Sequence, residues 1–380
     1  MPDEMTGGNV PVWDDGAWPG LPALEGEATA DVCVVGLGGS GLAAVGELLR
    51  LGKRVVGVDG RTVAGGAAGR NGGFLLAGTA DFYHDSVAAL GRERARAVHR
   101  LTAEQIQRMA RETPDAVRLV GSLRIAASPD EEEDCRRQLD AMRADALPVE
   151  AYEGPEGRGL YFATDGAFDP MRRCRALARQ ALAQGARLFE RSPAVEIGPG
   201  AVRTPRGRVT CDAVIVAVDG KLEQLVPELA GRVRTARLQM LATAPTLEVW
   251  FPRPVYVRYG FDYWQQLPPP DNRIALGGFR DLAMDEEWTD STEPTERIQA
   301  AMERCLRERV GVSAPITHRW AASVSYTETG LPVLDEVRPR VWALGGYSGT
   351  GNVIGALCGR AAAELAVSGR SEIGAVLGVG

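Results

Sequence analysis

The fold is decided by the stretch DVCVVGLGGSGLAAVGELLRLGKRVVGVDG, residues 31–60. Its short apolar run, Val32 to Val35, is typical of a strand that is buried on both faces. The glycines Gly36, Gly38 and Gly41 follow at the G-x-G-x-x-G spacing. At these positions glycine permits a tight turn, a close approach of the backbone to a pyrophosphate, and close packing of helix on strand. The stretch therefore predicts a dinucleotide-binding turn.

A helix and a second strand complete this unit. The helix is predicted from about Ser40 to Leu51, and the strand from Arg54 to Val58. Asp59 ends the strand about twenty residues after the turn, where a carboxylate can accept hydrogen bonds from ribose hydroxyls. The phosphates would meet free N–H groups and the positive dipole at the start of the helix. NAD, NADP and FAD all use this unit, so the unit alone leaves the cofactor open.

Composition limits the class of protein. The chain has 380 residues, 45% hydrophobic and 24% charged, which favours a soluble globular protein of about two domains. Its net charge of −7 argues against a nucleic-acid partner. No stretch approaches the roughly eighteen apolar residues of a membrane span, and the first residues are acidic where a signal peptide would be basic. We therefore expect a cytoplasmic protein with no membrane partner.

Cysteine and histidine usage argues against two further classes of site. The six cysteines are scattered without a C-x-x-C pair, so reduced, buried thiols are favoured over disulfides or a metal site. Only three histidines occur, and no G-x-S-x-G sequence is found. A zinc cluster or a Ser-His-Asp hydrolase therefore has few residues to draw on, and no metal is expected.

Beyond the opening unit the chain is interleaved. Residues 1–30 form a lead-in, predicted to lie as a strap over the surface. The next predicted elements are a long helix over 85–112, a strand pair over 117–127, a helix over 130–146, a helix from Asp169-Pro170 to Gly185, and a strand over 187–189. The apolar strand AVIVAV, residues 213–218, then returns to the parallel-sheet pattern and ends at Asp219. The nucleotide-binding domain is therefore predicted to be discontinuous.

The segment from about 231 to 320 has a different pattern, which predicts antiparallel strands. Tyr259, Phe261 and Tyr263 are spaced two apart, as on one face of a strand, with Trp264 beside them. Such a face could pack an ordinary core or line a pocket, and the pattern leaves both open. The chain ends with a strand, a glycine-rich turn over 346–351 and an alanine-rich helix, a second place where a helix N-terminus can face a ligand.

Several motifs, taken in order, carry a resemblance. They are the opening unit, Gly69-Arg70-Asn71-Gly72-Gly73, the Asp169-Pro170 helix, the strand from Val214 to Gly220, Gly330-Leu331-Pro332, and Gly346-Tyr347-Ser348-Gly349-Thr350-Gly351. This chain resembles the D-amino-acid oxidase superfamily of flavoproteins, and within it the glycine and sarcosine oxidase branch and γ-glutamylputrescine oxidase-like proteins. The resemblance covers nearly all residues after about 28.

The resemblance implies an α/β fold. Its Rossmann-like FAD/NAD(P)-binding domain, similar to that of glutathione reductase, would comprise residues 31–84, 160–230 and 325–380. A discontinuous α+β substrate domain, residues 85–159 and 231–324, would carry an antiparallel sheet that roofs the isoalloxazine ring. The implied cofactor is FAD. It would be bound non-covalently, because Val324 stands near the place of the tethering cysteine of sarcosine oxidases.

The matching positions also imply which residues hold FAD. They are Gly36, Gly38, Gly39, Ser40, Gly41, Asp59, Gly60, Arg61, Ala68, Gly69, Arg70, Asn71, Gly72, Gly73, Val195, Ala217, Gly346, Tyr347, Gly349, Thr350, Gly351 and Asn352. Within this set, the resemblance places the backbone of Val195 at the adenine. It places Arg70 or Asn71 at the polar edge of the flavin, and the turn from Gly346 to Asn352 near the flavin pyrimidine ring.

The implied activity is oxidation of a small-molecule amine. Hydride passes from the carbon that bears the amine to flavin N5, the imine is hydrolysed, and O2 is the expected acceptor, giving H2O2. Tyr259, Tyr263 and Trp264 would form the pocket wall, and Glu328 could attract a cationic amine or be a solvated turn carboxylate. The oligomeric state does not follow from the sequence.

Two departures from the family pattern leave alternatives open. Residues 321–328 lack the arginine that pairs with the substrate carboxylate in amino-acid oxidases, and Val353 stands where sarcosine oxidases keep a lysine. An amine without an adjacent carboxylate is therefore favoured, although Arg70, Arg280 or Arg319 could supply a cation. Arg280 also replaces the lysine that activates oxygen. An amino-acid oxidase or dehydrogenase, a flavoprotein without amine oxidation, and an NAD enzyme remain as alternatives.

Overall fold

The computed structural model describes residues 8–379, which form two compact units. The parallel-sheet unit comprises residues 15–70, 170–236 and 323–379, and the antiparallel-sheet unit comprises residues 8–14, 71–169 and 237–322. The predicted domain boundaries lie elsewhere, at 30/31, 84/85, 159/160, 230/231 and 324/325. The assignment of these segments to an FAD-binding and a substrate domain stays a prediction.

The helices and strands of residues 8–379 have the following bounds. The helices are α1 Gly39–Arg50, α2 Tyr83–Leu90, α3 Arg92–Glu112, α4 Pro129–Ala144, α5 Pro170–Ala183, α6 Leu222–Leu225, α7 Met284–Glu287, α8 Glu296–Cys305, α9 Ile354–Ser368 and α10 Glu372–Leu377. The strands are β1 Gly26–Thr29, β2 Val32–Val35, β3 Val55–Val58, β4 Phe74–Leu75, β5 Val117–Arg118, β6 Ser122–Ile125, β7 Glu150–Gly154, β8 Gly157–Phe162, β9 Gly166–Phe168, β10 Arg187–Phe189, β11 Glu196–Gly198, β12 Ala201–Arg203, β13 Gly207–Thr210, β14 Ala213–Val216, β15 Arg234–Thr243, β16 Val255–Val257, β17 Asp262–Gln266, β18 Ile274–Gly278, β19 Ile316–Tyr326, β20 Val333–Arg338 and β21 Val341–Gly345. None of these helices is long and apolar enough to cross a membrane.

A six-stranded sheet forms the centre of the parallel-sheet unit, in the order β10-β3-β2-β14-β21-β20. Its strands are parallel except for β20, which pairs antiparallel with β21. Strands β2, β3 and β14 are buried along their whole length, as expected for apolar runs covered on both faces. The α/β fold class and the opening strand, turn, helix and strand are therefore confirmed.

Helices α1 and α9 pack closely on each other in this unit. A Cβ atom added at Gly359 of α9 would overlap the carbonyl oxygen of Ser40 at the start of α1. Because no side chain separates the two backbones there, the N-terminal turn of α1 is held against α9. The predicted C-terminal strand and alanine-rich helix are confirmed as β21 and α9.

Residues 15–25 of the lead-in are anchored by one buried carboxylate. Glu190 follows β10 and accepts hydrogen bonds from Trp18 Nε1 at 2.7 Å and from the backbone N–H of Leu21 at 2.8 Å. Its Oε1 also accepts the N–H of Val63 at 2.7 Å. Glu190 thus joins the lead-in to the segment that follows β3, all within the parallel-sheet unit.

The antiparallel-sheet unit is built on an eight-stranded sheet, in the order β19-β15-β18-β17-β16-β6-β8-β7. Its pairs β17/β18, β16/β17 and β6/β8 are antiparallel, and β6/β16 is parallel. Side chains alternate between its faces, since successive residues of a strand point to opposite sides. Trp264 packs with Leu276 and Met302 of α8 in one core cluster, whereas Tyr256 and Tyr263 belong to a second cluster with Phe82.

Two predicted elements are wrong in detail. The single helix over 85–112 is in fact two helices, α2 and α3, which are separated at Gly91. This glycine has φ +79°, a left-handed conformation that an α-helix cannot contain. The strands in 117–127 do not pair with each other, because β5 pairs with β9, and β6 pairs with β8 and β16.

The predicted aromatic strand face is also wrong. Residues Arg258–Gly260 form a 3₁₀ turn in which Tyr259 has φ +59°, and β17 begins only at Asp262. Tyr259 is therefore 49% exposed in a turn and does not share a strand face with Tyr263. Tyr263 and Trp264, as neighbours in β17, point to opposite sides of the sheet.

Candidate functional site

The first glycine turn is closed by contacts that exclude any side chain. Gly36 has φ +101°, and a Cβ there would lie 2.6 Å from the carbonyl oxygen of Ala217 at the end of β14. A Cβ at Gly41 would overlap the carbonyl oxygen of Gly36. Both positions therefore require glycine, one for its backbone conformation and one for helix-to-turn packing. This arrangement fits the predicted roles of Gly36, Gly41 and Ala217.

The N-terminus of α1 is open to a ligand. No side chain caps the helix at Gly38, and a Cβ at Gly39 would meet nothing within 4 Å. Gly38 instead approaches Ala68, whose Cβ would lie 3.1 Å from a Cβ at Gly38. An uncapped helix start offers backbone N–H groups and a positive dipole end to an anion. The predicted phosphate site at Gly38, Gly39 and Ser40 is therefore an uncapped helix start, a kind of site that binds anions.

Asp59 lies at the carboxyl end of β3, as predicted. Its Oδ2 accepts the N–H of Leu37 and its Oδ1 accepts the N–H of Arg61, each at 2.7 Å. Burial raises the pKa of Asp59, although these two donors act in the opposite direction. A carboxylate oxygen has two lone pairs, so each oxygen can still accept a ribose hydroxyl. Arg61 itself is exposed, and its backbone makes the contact to Asp59.

The segment Ala68 to Gly73 crosses from one unit to the other at 70/71. In the parallel-sheet unit, residues Ala67–Gly69 form a 3₁₀ turn. A Cβ at Gly69 would overlap the carbonyl oxygen of Ala64 and lie 2.8 Å from Met171 Cε of α5. The backbone N–H of Arg70 donates to Ala67. Close packing therefore fixes the path of this segment at Gly69.

The other half of this segment is held by a side chain that the sequence did not indicate. Gln265 of β17 donates from Nε2 to the carbonyl oxygens of Gly72 at 2.5 Å and Gly73 at 3.0 Å. Asn71 Oδ1 accepts the N–H of Gly73 at 2.8 Å, so the Asn71 side-chain oxygen shapes the local turn. The one available signal for Gln265 was its position two residues after Tyr263, on the same strand face.

The second glycine turn is held by Asp219, which also was not among the predicted site residues. Oδ1 of this half-buried carboxylate accepts the backbone N–H groups of Gly346 at 2.9 Å and Tyr347 at 3.4 Å. Its Oδ2 accepts the N–H of Ser325 at 3.0 Å. Burial raises the pKa of Asp219 to about 6, partly offset by these backbone donors. One acid thus fixes the carboxyl end of β21 beside that of β14.

The turn itself presents backbone groups. The N–H and the hydroxyl of Thr350 both donate to the carbonyl oxygen of Tyr347, at 2.9 and 2.7 Å. Gly349 has φ +91°, and no side chain caps α9 at Val353. The ring of Tyr347 is buried, and a Cβ at Gly351 would lie 3.0 Å from it. Tyr347 therefore offers its backbone rather than its phenol, whose oxygen has no partner among residues 8–379.

Two predicted residues have surroundings that narrow their roles. Val195 is 52% exposed, and its N–H donates to the carbonyl oxygen of Arg203 at 2.8 Å, so this N–H is not available to an adenine. Glu328 is exposed just after β19, as a solvated turn carboxylate would be. Gly60 is likewise exposed, and Asn352 is half-buried within the second turn.

An aromatic face of the antiparallel-sheet unit carries Tyr256 and Tyr263. The Tyr263 ring packs edge-on against Phe74, with ring centroids 5.5 Å apart. A Cβ at Gly72 would lie 2.9 Å from the Tyr263 ring, and one at Gly277 would lie 2.7 Å from it. Tyr263 is thus wedged between two backbone segments. Trp264 is 2% exposed on the opposite face, so this residue cannot line the same wall.

Comparison with known proteins identifies this arrangement. Residues 31–365 match the sequence profile of a family described as DAO, FAD dependent oxidoreductase. The chain belongs to the DAO family of FAD-dependent oxidoreductases. The cofactor is therefore FAD, and the glycine turn, the open start of α1 and Asp59 fit the ADP half of this cofactor in the parallel-sheet unit. The Asp219-held turn lies in the same unit.

Relatives of this DAO family member share most of its length. A probable oxidoreductase OrdL of Rhizobium meliloti is 28% identical, over 93% of this chain and 87% of the relative. The γ-glutamylputrescine oxidoreductase of Escherichia coli is 27% identical, over 90% of this chain and 84% of the relative.

Solved structures show the same fold. L-proline dehydrogenase from P. horikoshii superimposes with a TM-score of 0.74 at 19% identity, covering 93% of this chain and 96% of the other. Glycine oxidase from Geobacillus kaustophilus superimposes with a TM-score of 0.73 at 20% identity, covering 91% and 96%. These similarities confirm the predicted Rossmann-like fold with its second, antiparallel sheet.

Proposed function

We propose that this DAO family member oxidises the CH–NH group of a small amine to an imine. Water then hydrolyses the imine to a carbonyl compound and a free amine or ammonia. With O2 as electron acceptor, amine, O2 and water give carbonyl compound, amine or ammonia, and H2O2. The chemistry that FAD supplies when bound is the acceptance of a hydride at N5.

The residues of the parallel-sheet unit would hold and tune the cofactor. Gly36, Gly38 and Gly41 would let the backbone reach the pyrophosphate, and Asp59 would accept the ribose hydroxyls. Asp219 holds the second glycine turn, which begins at Gly346 and leads into α9. The backbone N–H groups of this turn and the dipole of α9 would stabilise negative charge on the reduced cofactor. FAD would be bound non-covalently, because Val324 offers no sulfur and residues 68–73 contain no histidine.

The observation that carries the proposal is the packing of Tyr263 against Gly72. This ring, with Phe74 and Tyr256, gives the antiparallel-sheet unit an apolar face beside a backbone segment that continues directly into Ala68 to Arg70. Such surroundings favour a neutral amine over its ammonium form, since desolvation disfavours charge. Only the neutral amine can give up a hydride from its carbon. The face would therefore both orient the substrate and help to deprotonate it.

The ion pair of Arg319 and the lack of an arginine in residues 321–328 favour an amine over an α-amino acid. Arg319 donates to Glu303 at 2.7 Å and to Gln299 at 3.0 Å, so a carboxylate partner already occupies it. Residues 321–328 hold no arginine, and Val353 is buried and apolar. The name of the γ-glutamylputrescine relative, which denotes an amine compound, agrees with this proposal.

An anaerobic substrate screen tests the proposal. The purified holoenzyme is mixed without air with pentylamine, benzylamine, putrescine and N-methylbutylamine, and separately with glycine, sarcosine, D-alanine and L-proline. We expect the amines to bleach the flavin absorbance and the amino acids not to. Admission of air should then restore the colour and release peroxide.

Other outcomes of the same screen would support one of the alternative functions. Bleaching by the amino acids alone would replace the proposal with an amino-acid oxidase or dehydrogenase. Bleaching that air does not reverse would remove O2 as the acceptor. A flavin that no compound bleaches would point to a flavoprotein without amine oxidation.

A further inference from the structure

Arg124 is a buried cation without a carboxylate partner. It lies in the middle of β6 and is 6% exposed. Its Nη1 donates to Oε1 of Gln138 at 2.9 Å, and its Nε has no hydrogen-bond partner among residues 8–379. No aspartate or glutamate of the described chain lies within ion-pair distance of its guanidinium. Buried charges in proteins are normally paired, so this environment lacks a counter-ion.

Two aromatic rings hold the guanidinium in place. Its central carbon lies 4.1 Å from the ring centroid of Phe82 and 5.1 Å from that of Tyr256. Cation–π contacts orient a guanidinium and stabilise it partially, and the hydroxyl of Tyr256 also interacts with it, but neither supplies a negative charge. The guanidinium of arginine is planar, and its N–H groups match the two oxygens of a carboxylate. Because the two rings already orient the guanidinium of Arg124, it is well suited to bind a carboxylate.

Asp165 is an acid that interacts electrostatically with Arg124, but it forms no ion pair with the guanidinium and its oxygens accept hydrogen bonds from other groups. They accept the Ser122 hydroxyl at 2.6 Å and the backbone N–H of Ala77 at 2.9 Å. Burial raises the pKa of Asp165 to about 7, so near neutral pH it is a weak counter-ion. Asp165 therefore does not replace the missing partner of Arg124.

The register of the sheet relates Arg124 to the proposed substrate face. Arg124 of β6 pairs with Tyr256 of β16, and Tyr256 pairs with Tyr263 of β17. The three side chains therefore form one row on the same face of the sheet. Neighbouring strands lie about 4.8 Å apart, so the backbones of Arg124 and Tyr263 are about 10 Å apart.

We propose that Arg124 binds a carboxylate at the end of the substrate that is remote from the oxidised amine. This inference rests on the proposed function and narrows its substrate class to amines that carry a distant carboxylate. The row from Tyr263 to Arg124 then separates the reacting carbon from the anionic end. An α-amino acid is too short to reach both positions, which agrees with the missing arginine in residues 321–328.

Calorimetric titration of the holoenzyme with glutarate tests the site. Glutarate carries carboxylates but no amine, so it binds without being oxidised. We expect its dissociation constant to rise about ten- to hundred-fold in Arg124→Met, because a charge-assisted bond is lost while the side-chain volume is nearly kept. Arg124→Lys should give an intermediate value, since lysine keeps the charge but loses the planar fork.

Arg158→Met is the matched control. Arg158 lies on the neighbouring strand β8 and forms an exposed ion pair with Glu153 at 3.2 Å. We expect this variant to bind glutarate like the unaltered enzyme. Unchanged glutarate affinity in a folded Arg124→Met variant, or no glutarate binding by the unaltered enzyme, would overturn the inference.

A second measurement uses only the unaltered holoenzyme, in case Arg124→Met does not fold. The half-saturating concentrations for anaerobic flavin bleaching are compared between 6-aminohexanoate and hexylamine. We expect a value at least ten-fold lower for 6-aminohexanoate, and equal values would overturn the inference. The melting temperature and flavin content of each variant show whether it is folded.

The two proposals fail in different ways. If no amine bleaches the flavin but glutarate binding depends on Arg124, the amine oxidation is wrong and the anion site stands. If amines bleach the flavin but glutarate binding does not depend on Arg124, the anion site is wrong and the oxidation stands.

Discussion

The carboxylate of Asp219 accepts the backbone N–H of Gly346 at 2.9 Å, across the ends of two neighbouring parallel strands. The same carboxylate accepts the N–H of Ser325 from its other oxygen. Asp219 is therefore a positioning residue for the second glycine turn. Its side chain reaches three backbone groups, those of Gly346, Tyr347 and Ser325.

Asp219→Asn should weaken FAD binding about ten-fold or more. The amide keeps one acceptor oxygen but turns an NH2 group toward a backbone N–H, so at least one of the three bonds is lost. The dissociation constant of FAD is measured by fluorescence titration of the apoprotein. Asp212→Asn, at an exposed position before β14, is the control and should bind FAD unchanged. Equal affinity in both variants would contradict this role of Asp219.

The pH dependence of stability should report Asp219 separately. Its folded pKa of about 6 is above the ordinary 3.8, so the folded state binds the proton more tightly. Its contribution to stability is then fully present below the ordinary pKa and is lost as the pH rises through the folded pKa. We expect the unaltered protein to lose free energy of unfolding relative to Asp219→Asn between about pH 4 and 7. Urea unfolding at several pH values measures this difference, and a flat difference would refute the assignment.

Two glycines of α1 give opposite predictions for alanine. Gly41→Ala should abolish FAD binding and destabilise the protein, because its Cβ would overlap the carbonyl oxygen of Gly36. Gly46 is exposed on the same helix, and a Cβ there would meet nothing within 4 Å. Gly46→Ala should therefore stabilise the protein by about 0.5–1 kcal/mol. Flavin content and urea unfolding distinguish the two variants, and similar behaviour would contradict the packing at Gly41.

The aromatic residues at 259–264 should respond separately to substitution. Tyr263→Leu should lower turnover at least ten-fold with FAD retained, since its ring forms part of the proposed substrate face. Trp264→Ala should instead cost about 3–5 kcal/mol of stability, because this side chain fills the core on the other face. Tyr259→Ala, in an exposed turn, should change both little. Steady-state kinetics and urea unfolding provide the two readouts, and equal turnover in all three variants would remove Tyr263 from the site.

The attachment of the cofactor can be tested directly. We expect acid precipitation of the holoenzyme to release all flavin into the supernatant, because position 324 is a valine and residues 68–73 contain no histidine. The visible absorbance of supernatant and pellet is compared. A yellow pellet after washing would show a covalent bond.

The parts of the fold that sequence predicted are those with local signals. The strand, glycine turn, helix and strand of residues 31–60 lie within one short stretch, and its apolar runs have the right lengths. The even spacing of Tyr259 from Tyr263 predicts one strand face that carries both side chains. In the structure Tyr259 has a left-handed backbone, with φ +59°, so it lies in a turn and not in a strand. The one local signal for this turn in the sequence Arg-Tyr-Gly-Phe is its glycine.

The sequence did not predict Asp219, Gln265 or Arg124, because the contacts that define their roles are with residues far away along the chain. Asp219 binds a turn 127 residues further along the chain, and Gln265 binds a segment 193 residues before it. Arg124 became notable only once Phe82 and Tyr256 were known to flank it. Side-chain roles of this kind arise from tertiary contacts, which periodicity along a single sequence does not encode.

The strand order of the parallel sheet has a consequence for biosynthesis. Ile215 of β14 lies between Val34 of β2 and Trp342 of β21, so three parts of the chain far apart in sequence meet in one layer. Loop closure over such separations makes folding slow. Until the ribosome has released β21, one edge of β14 stays unpaired and can join other chains. Shortening the protein before Val341 should therefore yield aggregates rather than a smaller flavoprotein.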